Sequence, residues 1–463
     1  MFAQSACRFC EQLQRIGYKD FRKCFQRNIA AHILSNFSSQ TATRKELIKE
    51  AKFQRLYKST FIMHESAGYP SSSTKLPKDV CEKLFDFPGD DNKKINLEWL
   101  QENVWKDVEN FEISDEDIIC GMQANIFKIV LKSVSKNECR KIVAKRLVPK
   151  ELPPKANKEL WVDFLKSVES EVGFYRDLSL ANPDLFPKVY YSDGKTNTTD
   201  IMDSFYLILM EDVSKDYFQD TGMNKSQAEN LMKTLAKFHA THWKKIDPKA
   251  DRGTFWVLER RQILGEIESA DEIWKAVLQR FPEFQNLYPG VENLGSQIAS
   301  KAQKMDDFIA SNLLTQVHGD CKGWNLFFIK EELSKQSEKS PVLMIDLQWT
   351  GIGHPLQDVA YALTTTLQPE LLPEMDYFVD FYIENLSKHI ADLDPKALKN
   401  EFDIVWLDYA RVILTGLWKR FSPESIVKNQ CIVGPSYVAR SKVHAEFIIR
   451  KANDLLNVNP IVI

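Results

Sequence analysis

Long apolar runs are missing from this chain. No stretch approaches the roughly 18 residues that a membrane-crossing helix needs, so a membrane span is not expected and a globular protein is. Charge of one sign is missing too: a formal net charge of -3 with both signs interspersed offers no basic field to nucleic acid or anionic lipid. No nucleic-acid partner is expected. Cysteine is sparse, with eight in 463 residues and no dense regular spacing, which argues against a disulfide framework and for reduced thiols in a cytoplasmic protein. A secretory apolar core is also lacking at the N-terminus. What remains is an ordinary globular composition, 44% hydrophobic and 27% charged, on a chain long enough for two lobes sharing a large core.

The first residues, 1–65, read as a basic leader or helical arm. Arg8, Lys19, Arg22, Lys23, Arg27, Arg44 and Lys45 face only Glu11 and Asp20 over the first 45 positions, and a mitochondrial transit peptide is the alternative for this stretch. Cys7 and Cys10 with Cys24 and His32 raise a zinc site, although the spacing fits no common finger. Residues 66–94 carry Gly68, Pro70, Ser71-Ser72-Ser73, Pro77, Pro88 and Gly89, the punctuation of a linker. A first folded lobe is expected over 95–212 and a second over 213–463.

Asn96 is placed to cap a short helix beginning Leu97-Glu98-Trp99. Two β-rich runs, Ile126–Lys132 and Arg140–Leu147, flank a Ser-Lys-Asn turn and read as a hairpin. A helix is expected from about Asn157 to Asp177, with Trp161, Phe164, Leu165, Val168, Val172 and Tyr175 at three- and four-residue spacings. Phe205–Met210 is a short buried strand. Beyond 213 the pattern turns mainly helical, with Ser226–Trp243, a stretch from Ser422 and Ser436–Leu456 as the clearest cases. The fold class is therefore α+β: a small antiparallel sheet carrying one main helix, then a larger helical lobe.

The chemistry concentrates in Val317-His318-Gly319-Asp320-Cys321-Lys322-Gly323-Trp324-Asn325 and in Ile345-Asp346-Leu347-Gln348. The apolar runs Leu326–Ile329 and Val342–Ile345 should pair antiparallel across Lys330–Pro341, bringing Asn325 beside Asp346. A carboxylate and an amide carbonyl suit a hard cation such as Mg²⁺, which takes its other ligands from water and phosphate. Asp320, five residues before Asn325, can orient an attacking hydroxyl and accept its proton, and Lys322 can reach a transferring phosphate.

These residues resemble the catalytic loop of the protein-kinase-like superfamily, whose H-x-D-x-K-x-x-N pattern is met by His318, Asp320, Lys322 and Asn325. Glycine at 319 is similar to the aminoglycoside phosphotransferase and choline kinase relatives rather than to protein kinases. His318–Phe328 and Ile345–Gly353 resemble most the CHK-kinase-like, or ecdysteroid-kinase-like, group. The resemblance spans about 95–455 and is strongest over 317–363.

It implies a protein-kinase-like two-lobe fold and ATP- and Mg²⁺-dependent phosphorylation of a small-molecule hydroxyl. It also implies roles: Lys145 on the ATP phosphates, Glu171 holding that lysine, and the backbone of Glu211 and Val213 at adenine. Asp320, Lys322 and Asn325 are the catalytic set, Asn325 and Asp346 the metal ligands, and His318 and Asp358 structural supports, while His239 packs in the core.

One departure concerns the loop that covers the phosphates, Cys120–Asn125, which has a single glycine, Gly121, where two or three are usual. That loop is the only support for the competing expectation of a pseudokinase or scaffold. A zinc-dependent interaction module and a protein kinase are further alternatives; Gly319 and the lack of a D-F-G to A-P-E segment count against the latter. Gln348 could add a metal contact or pack. Trp406, Asp408, Tyr409, Arg411 and Trp418 are either an acceptor-pocket wall or core.

Overall fold

The computed structural model describes residues 95–114, 119–120, 124–149, 158–197, 199–245, 250–334, 338–420, 436–439 and 441–461. The leader, the linker, the zinc pattern at Cys7, Cys10, Cys24 and His32, Gly121 of the phosphate loop and the helix start at Ser422 lie outside the described residues.

The N-terminal part is a six-stranded antiparallel sheet. Its strands are β1 (Asn110–Ile113), β2 (Ile119–Cys120), β3 (Asn125–Ser133), β4 (Glu138–Leu147), β5 (Val189–Lys195) and β6 (Phe205–Glu211), in the order β1-β3-β4-β6-β5 with β2 on β3. Helix α1 (Leu97–Asn103) opens the lobe, and Asn96 caps it by accepting the Trp99 N–H at 2.9 Å. Helix α2 (Lys158–Gly173) follows β4 and ends in a π-helical turn, Phe174–Leu178, so the expected helix to Asp177 is α-helical only as far as Gly173.

Period-two alternation decides which side chains face which layer. Phe127, Ile129, Leu131, Ile142, Ala144, Leu207 and Leu209 face the α1 side, in a core with Ile95, Leu100, Trp105 and Val108. Tyr206, Ile208 and Met210 face α2 instead, beside Trp161, Phe164, Leu165 and Val168. The unbroken apolar run of β6 is thus a strand covered on both faces. Lys145, next to Ala144, falls on the α2 face.

After a short strand β7 (Tyr217–Gln219), helices dominate. They are α3 (Lys225–Thr241), α4 (Leu258–Ile263), α5 (Ala270–Arg280), α6 (Leu294–Ser300), α7 (Ala302–Ser311), α8 (Glu331–Ser334), α9 (Leu356–Thr366), α10 (Met375–Ser387), α11 (Pro395–Thr415) and α12 (Lys442–Asn453). Every residue of α9 is buried, which marks it as the central helix of this lobe. Four short strands, β8 (Thr315–Val317), β9 (Leu326–Ile329), β10 (Val342–Met344) and β11 (Gly351–Gly353), form two small sheets, β10-β9-β7 and β11-β8. The fold is the expected two-lobe α+β class.

Candidate active site

Hairpin β9–β10 sets the frame. Its register pairs Leu326 with Met344, and the Ile345 N–H donates to the Asn325 carbonyl at 3.0 Å, so Asn325 and Asp346 sit at the same end of the hairpin. Asp346 itself has φ of 63°, a left-handed conformation that aspartate tolerates better than most residues. Its N–H donates to the Tyr175 hydroxyl at 3.2 Å.

The Asp346 Oδ1 and the Glu171 Oε2 each accept from Lys145 Nζ at 2.6 Å. Lys145 comes from β4, Glu171 from α2 and Asp346 from the end of β10, so three elements converge on one ammonium. Burial pulls the Lys145 ammonium down, but the charges of Asp346 and Glu171 outweigh it and leave it above its ordinary value. Burial pushes the Glu171 carboxyl up to about 7, against the pull of Lys145 and with a further push from the Asp346 charge.

The loop from His318 to Asn325 is held from below. Asp358, buried on α9, accepts the N–H of His318 at 2.6 Å and of Gly319 at 2.9 Å, and also contacts His239 Nε2 at 3.1 Å. The expected backbone role of Asp358 matches this geometry, and His239 is buried in the core as expected. His239 Nδ1 meets the Tyr382 hydroxyl at 2.8 Å. Gly319 has φ of +81°, and a Cβ there would overlap the Trp349 carbonyl. His318 spans the two motifs: its Nδ1 accepts the Asp320 N–H at 3.3 Å, which leaves Nε2 as the donor to the Ile345 carbonyl at 3.0 Å.

Asp320 is almost fully buried and heavily ligated by its own protein. Its Oδ2 accepts from Lys322 Nζ at 2.8 Å and Asn325 Nδ2 at 3.1 Å; its Oδ1 accepts from the Tyr361 hydroxyl at 2.7 Å. Asn325 Nδ2 also donates to the Asp320 carbonyl at 2.8 Å, so the amide turns its Oδ1 away from Asp320. Lys322 lies on Asp320, two residues away, rather than projecting past it.

Sequence reasoning missed Tyr361 and gave Tyr175 only a place in a helical pattern. Tyr361 lies three residues after Asp358 on α9 and so shares its face, a spacing that could have flagged it. Gln348 is buried, and among the described residues its Nε2 has no hydrogen-bond partner. Trp406, Asp408, Tyr409, Arg411 and Trp418 are all buried: the core alternative holds for them, and the pocket-wall alternative does not. Glu211 and Val213 end β6 and begin the turn after it; the Glu211 N–H is taken by the Lys188 carbonyl at 2.8 Å. Asp212 between them pairs with Lys128 of β3 at 3.2 Å.

The profile of the ecdysteroid kinase-like family matches residues 122–394, more than half of the chain and both lobes of this site. The chain belongs to the ecdysteroid kinase-like family. Membership makes it a small-molecule kinase by class and agrees with the family resemblance of its two motifs. The match begins at 122 and ends at 394, inside the span of about 95–455 that the motifs suggested.

No curated protein matches the chain. Among solved structures it is similar to an ethanolamine kinase from Plasmodium vivax, at 11% identity and a TM-score of 0.41 over 91% of this chain and 98% of that one. It is similar to a choline kinase from Streptococcus pneumoniae, at 14% identity and a TM-score of 0.36 over 76% and 97%. A spectinomycin phosphotransferase solved with ADP and spectinomycin gives 12% identity and a TM-score of 0.39 over 77% and 96%. Likenesses this loose carry no argument about residues or substrate.

Proposed function

We propose that this member of the ecdysteroid kinase-like family transfers the γ-phosphoryl group of ATP to a hydroxyl of a small-molecule acceptor. The observation that carries the proposal is the convergence on Lys145: Glu171 and Asp346 both bind its ammonium at 2.6 Å, and the β9–β10 hairpin sets Asn325 beside Asp346 and within one loop of Asp320.

Lys145, steadied by Glu171, takes the nucleotide phosphates. The Glu211 carbonyl and the Val213 N–H would serve the adenine edge, the Glu211 N–H being already committed to the Lys188 carbonyl. Asp346 and the Asn325 Oδ1 fit Mg²⁺ by their chemistry, a carboxylate and an amide carbonyl, both hard oxygen donors. Among the described residues no group of three or more His, Cys, Asp or Glu side chains would hold a metal; a cation at this pair would need nucleotide and water for its other ligands. Bound there, Mg²⁺ supplies charge neutralisation at the phosphate oxygens. With Mg²⁺ bound, Asp346 would serve the cation and Lys145, held by Glu171, the phosphates.

Asp320 orients the acceptor hydroxyl and accepts its proton as the alcohol oxygen bonds to phosphorus and the bond to ADP breaks. Lys322, on Asp320 Oδ2, sits beside that oxygen and offers positive charge to the group in transfer. His318 and Asp358 hold the loop.

The test is ³¹P NMR of the full chain with Mg-ATP and pools of hydroxylated metabolites. A new phosphomonoester resonance in proportion to ADP is the expected result. ATP that stays intact in every pool counts against the proposal.

A further inference from the structure

Asp320 is held on both oxygens, and the two sides are unequal. Oδ2 accepts from Lys322 at 2.8 Å and Asn325 at 3.1 Å, which fills its two lone pairs. Oδ1 accepts from Tyr361 at 2.7 Å and has one lone-pair direction left for a further donor. A hydroxyl that gives its proton to Asp320 therefore meets Oδ1, the oxygen that Tyr361 fixes.

Tyr361 is itself packed among three rings. Its ring stacks on Trp256, with centroids 5.1 Å apart and planes 24° from parallel. Tyr409 meets it edge-on at 4.9 Å and Phe255 at 5.6 Å. Behind this cluster Arg411 donates to the Trp256 carbonyl at 3.2 Å and to Asp408 at 2.8 Å. The buried aromatic and ionic residues of α11 thus back a phenol aimed at the reacting carboxylate. Ordinary core packing asks for none of that aim, because a phenylalanine would fill the same space. A buried hydroxyl needs a partner, and here the partner is the carboxylate proposed as the base.

We infer that Tyr361 is a positioning residue for phosphoryl transfer: its hydroxyl fixes the Asp320 carboxylate so that Oδ1 presents one lone pair to the acceptor hydroxyl. The inference rests on the proposed phosphotransfer. In the step itself the acceptor O–H bond breaks, its proton goes to Asp320 Oδ1, its electron pair forms the new bond to the γ-phosphorus, and the old bond to ADP carries its pair away. The Tyr361 proton stays on Tyr361 throughout.

The test compares parent, Tyr361→Phe and Asp320→Asn, using [γ-³²P]ATP with Mg²⁺ and a panel of hydroxylated metabolites, with water as acceptor where none of these exceeds background. Tyr361→Phe is expected to lower kcat about ten- to hundredfold, the weight of a hydrogen bond to a charged group, with the KM for ATP and for acceptor unchanged and the melting temperature within a few degrees. Parental kcat in Tyr361→Phe beside an inactive Asp320→Asn overturns the inference and spares the proposed function. Parental turnover in Asp320→Asn, or no turnover of any probe by the parent, overturns both. A second measurement is independent of turnover, and its overturning outcome is read on the parent alone. In the ¹H NMR spectrum of the full-length parent, a downfield hydroxyl proton lost in both variants supports the bond, and its absence from the parent overturns the inference.

Discussion

At the scale of single residues, the loop works because a few positions have no substitute. Gly319 adopts φ of +81° with the Trp349 carbonyl where a Cβ would be. Gly319→Ala is expected to destabilise the chain by more than about 1 kcal/mol, read by urea unfolding, because alanine pays for both the left-handed backbone and the overlap. Asp358 gives a pH signature. Burial pushes its carboxyl up, but the hydrogen bond and charge of His239, the His318 imidazole and the Gly319 N–H outweigh burial and hold it below the ordinary value of 3.8. A folded-state value below the unfolded one means stability that is complete above the ordinary carboxylate range and is lost as pH falls through the folded value. The difference in unfolding free energy between parent and Asp358→Asn should therefore be constant near neutrality and shrink below about pH 4. A difference independent of pH down to strong acid would contradict it.

Among elements, α3 ties the helical lobe to the loop, since it carries His239 to Asp358. A capping box starts it: Asn224 accepts the Gln227 N–H at 3.0 Å and Gln227 accepts the Asn224 N–H at 2.8 Å. Asn224→Ala should cost about 1 kcal/mol in denaturant unfolding. Elements were legible in the sequence where pattern and punctuation agreed. The β3–β4 hairpin, β6, α3 and the β9–β10 hairpin were all readable, because each pairs an apolar run or a regular period with turn or cap residues. β5 was not: its Ser192-Asp193-Gly194 has the composition of a turn, and pairing with β6 overrides that preference. β1 and β2 are too short to show a period.

The site was legible to the same degree. Asp320, Asn325 and Asp346 were picked out by spacing, and Lys145 and Glu171 by the family resemblance; the structure brings Lys145, Glu171 and Asp346 into contact. Tyr361 was not picked out, because an aromatic at helical spacing looks like core until a structure shows where its hydroxyl goes. The burial of Trp406, Tyr409 and Trp418 follows the same logic from the other side.

At the scale of the whole molecule, Lys145 of the sheet and Asp346 of the helical part are joined by a 2.6 Å ion pair, and Lys128 and Asp212 clasp the turn between the two parts at 3.2 Å. A nucleotide that binds Lys145 and Asp346 together links the parts and stabilises the folded chain. At a hundredfold excess over its dissociation constant, Mg-ATP should add about 2.7 kcal/mol and raise the melting temperature by several degrees. Lys145→Met is expected to remove most of that rise, as read by differential scanning fluorimetry with and without Mg-ATP. An equal rise in the variant would exclude Lys145 from the nucleotide site.

Among the described residues no helix is long and apolar enough to cross a membrane. The most direct measurement is transfer of ³²P from [γ-³²P]ATP to a hydroxylated metabolite by the full chain, run beside Asp320→Ala and Asp346→Ala. The prediction is a labelled phosphomonoester from the parent, with a loss of at least about a hundredfold in each variant. Labelled product formed at the parental rate by either variant would contradict it.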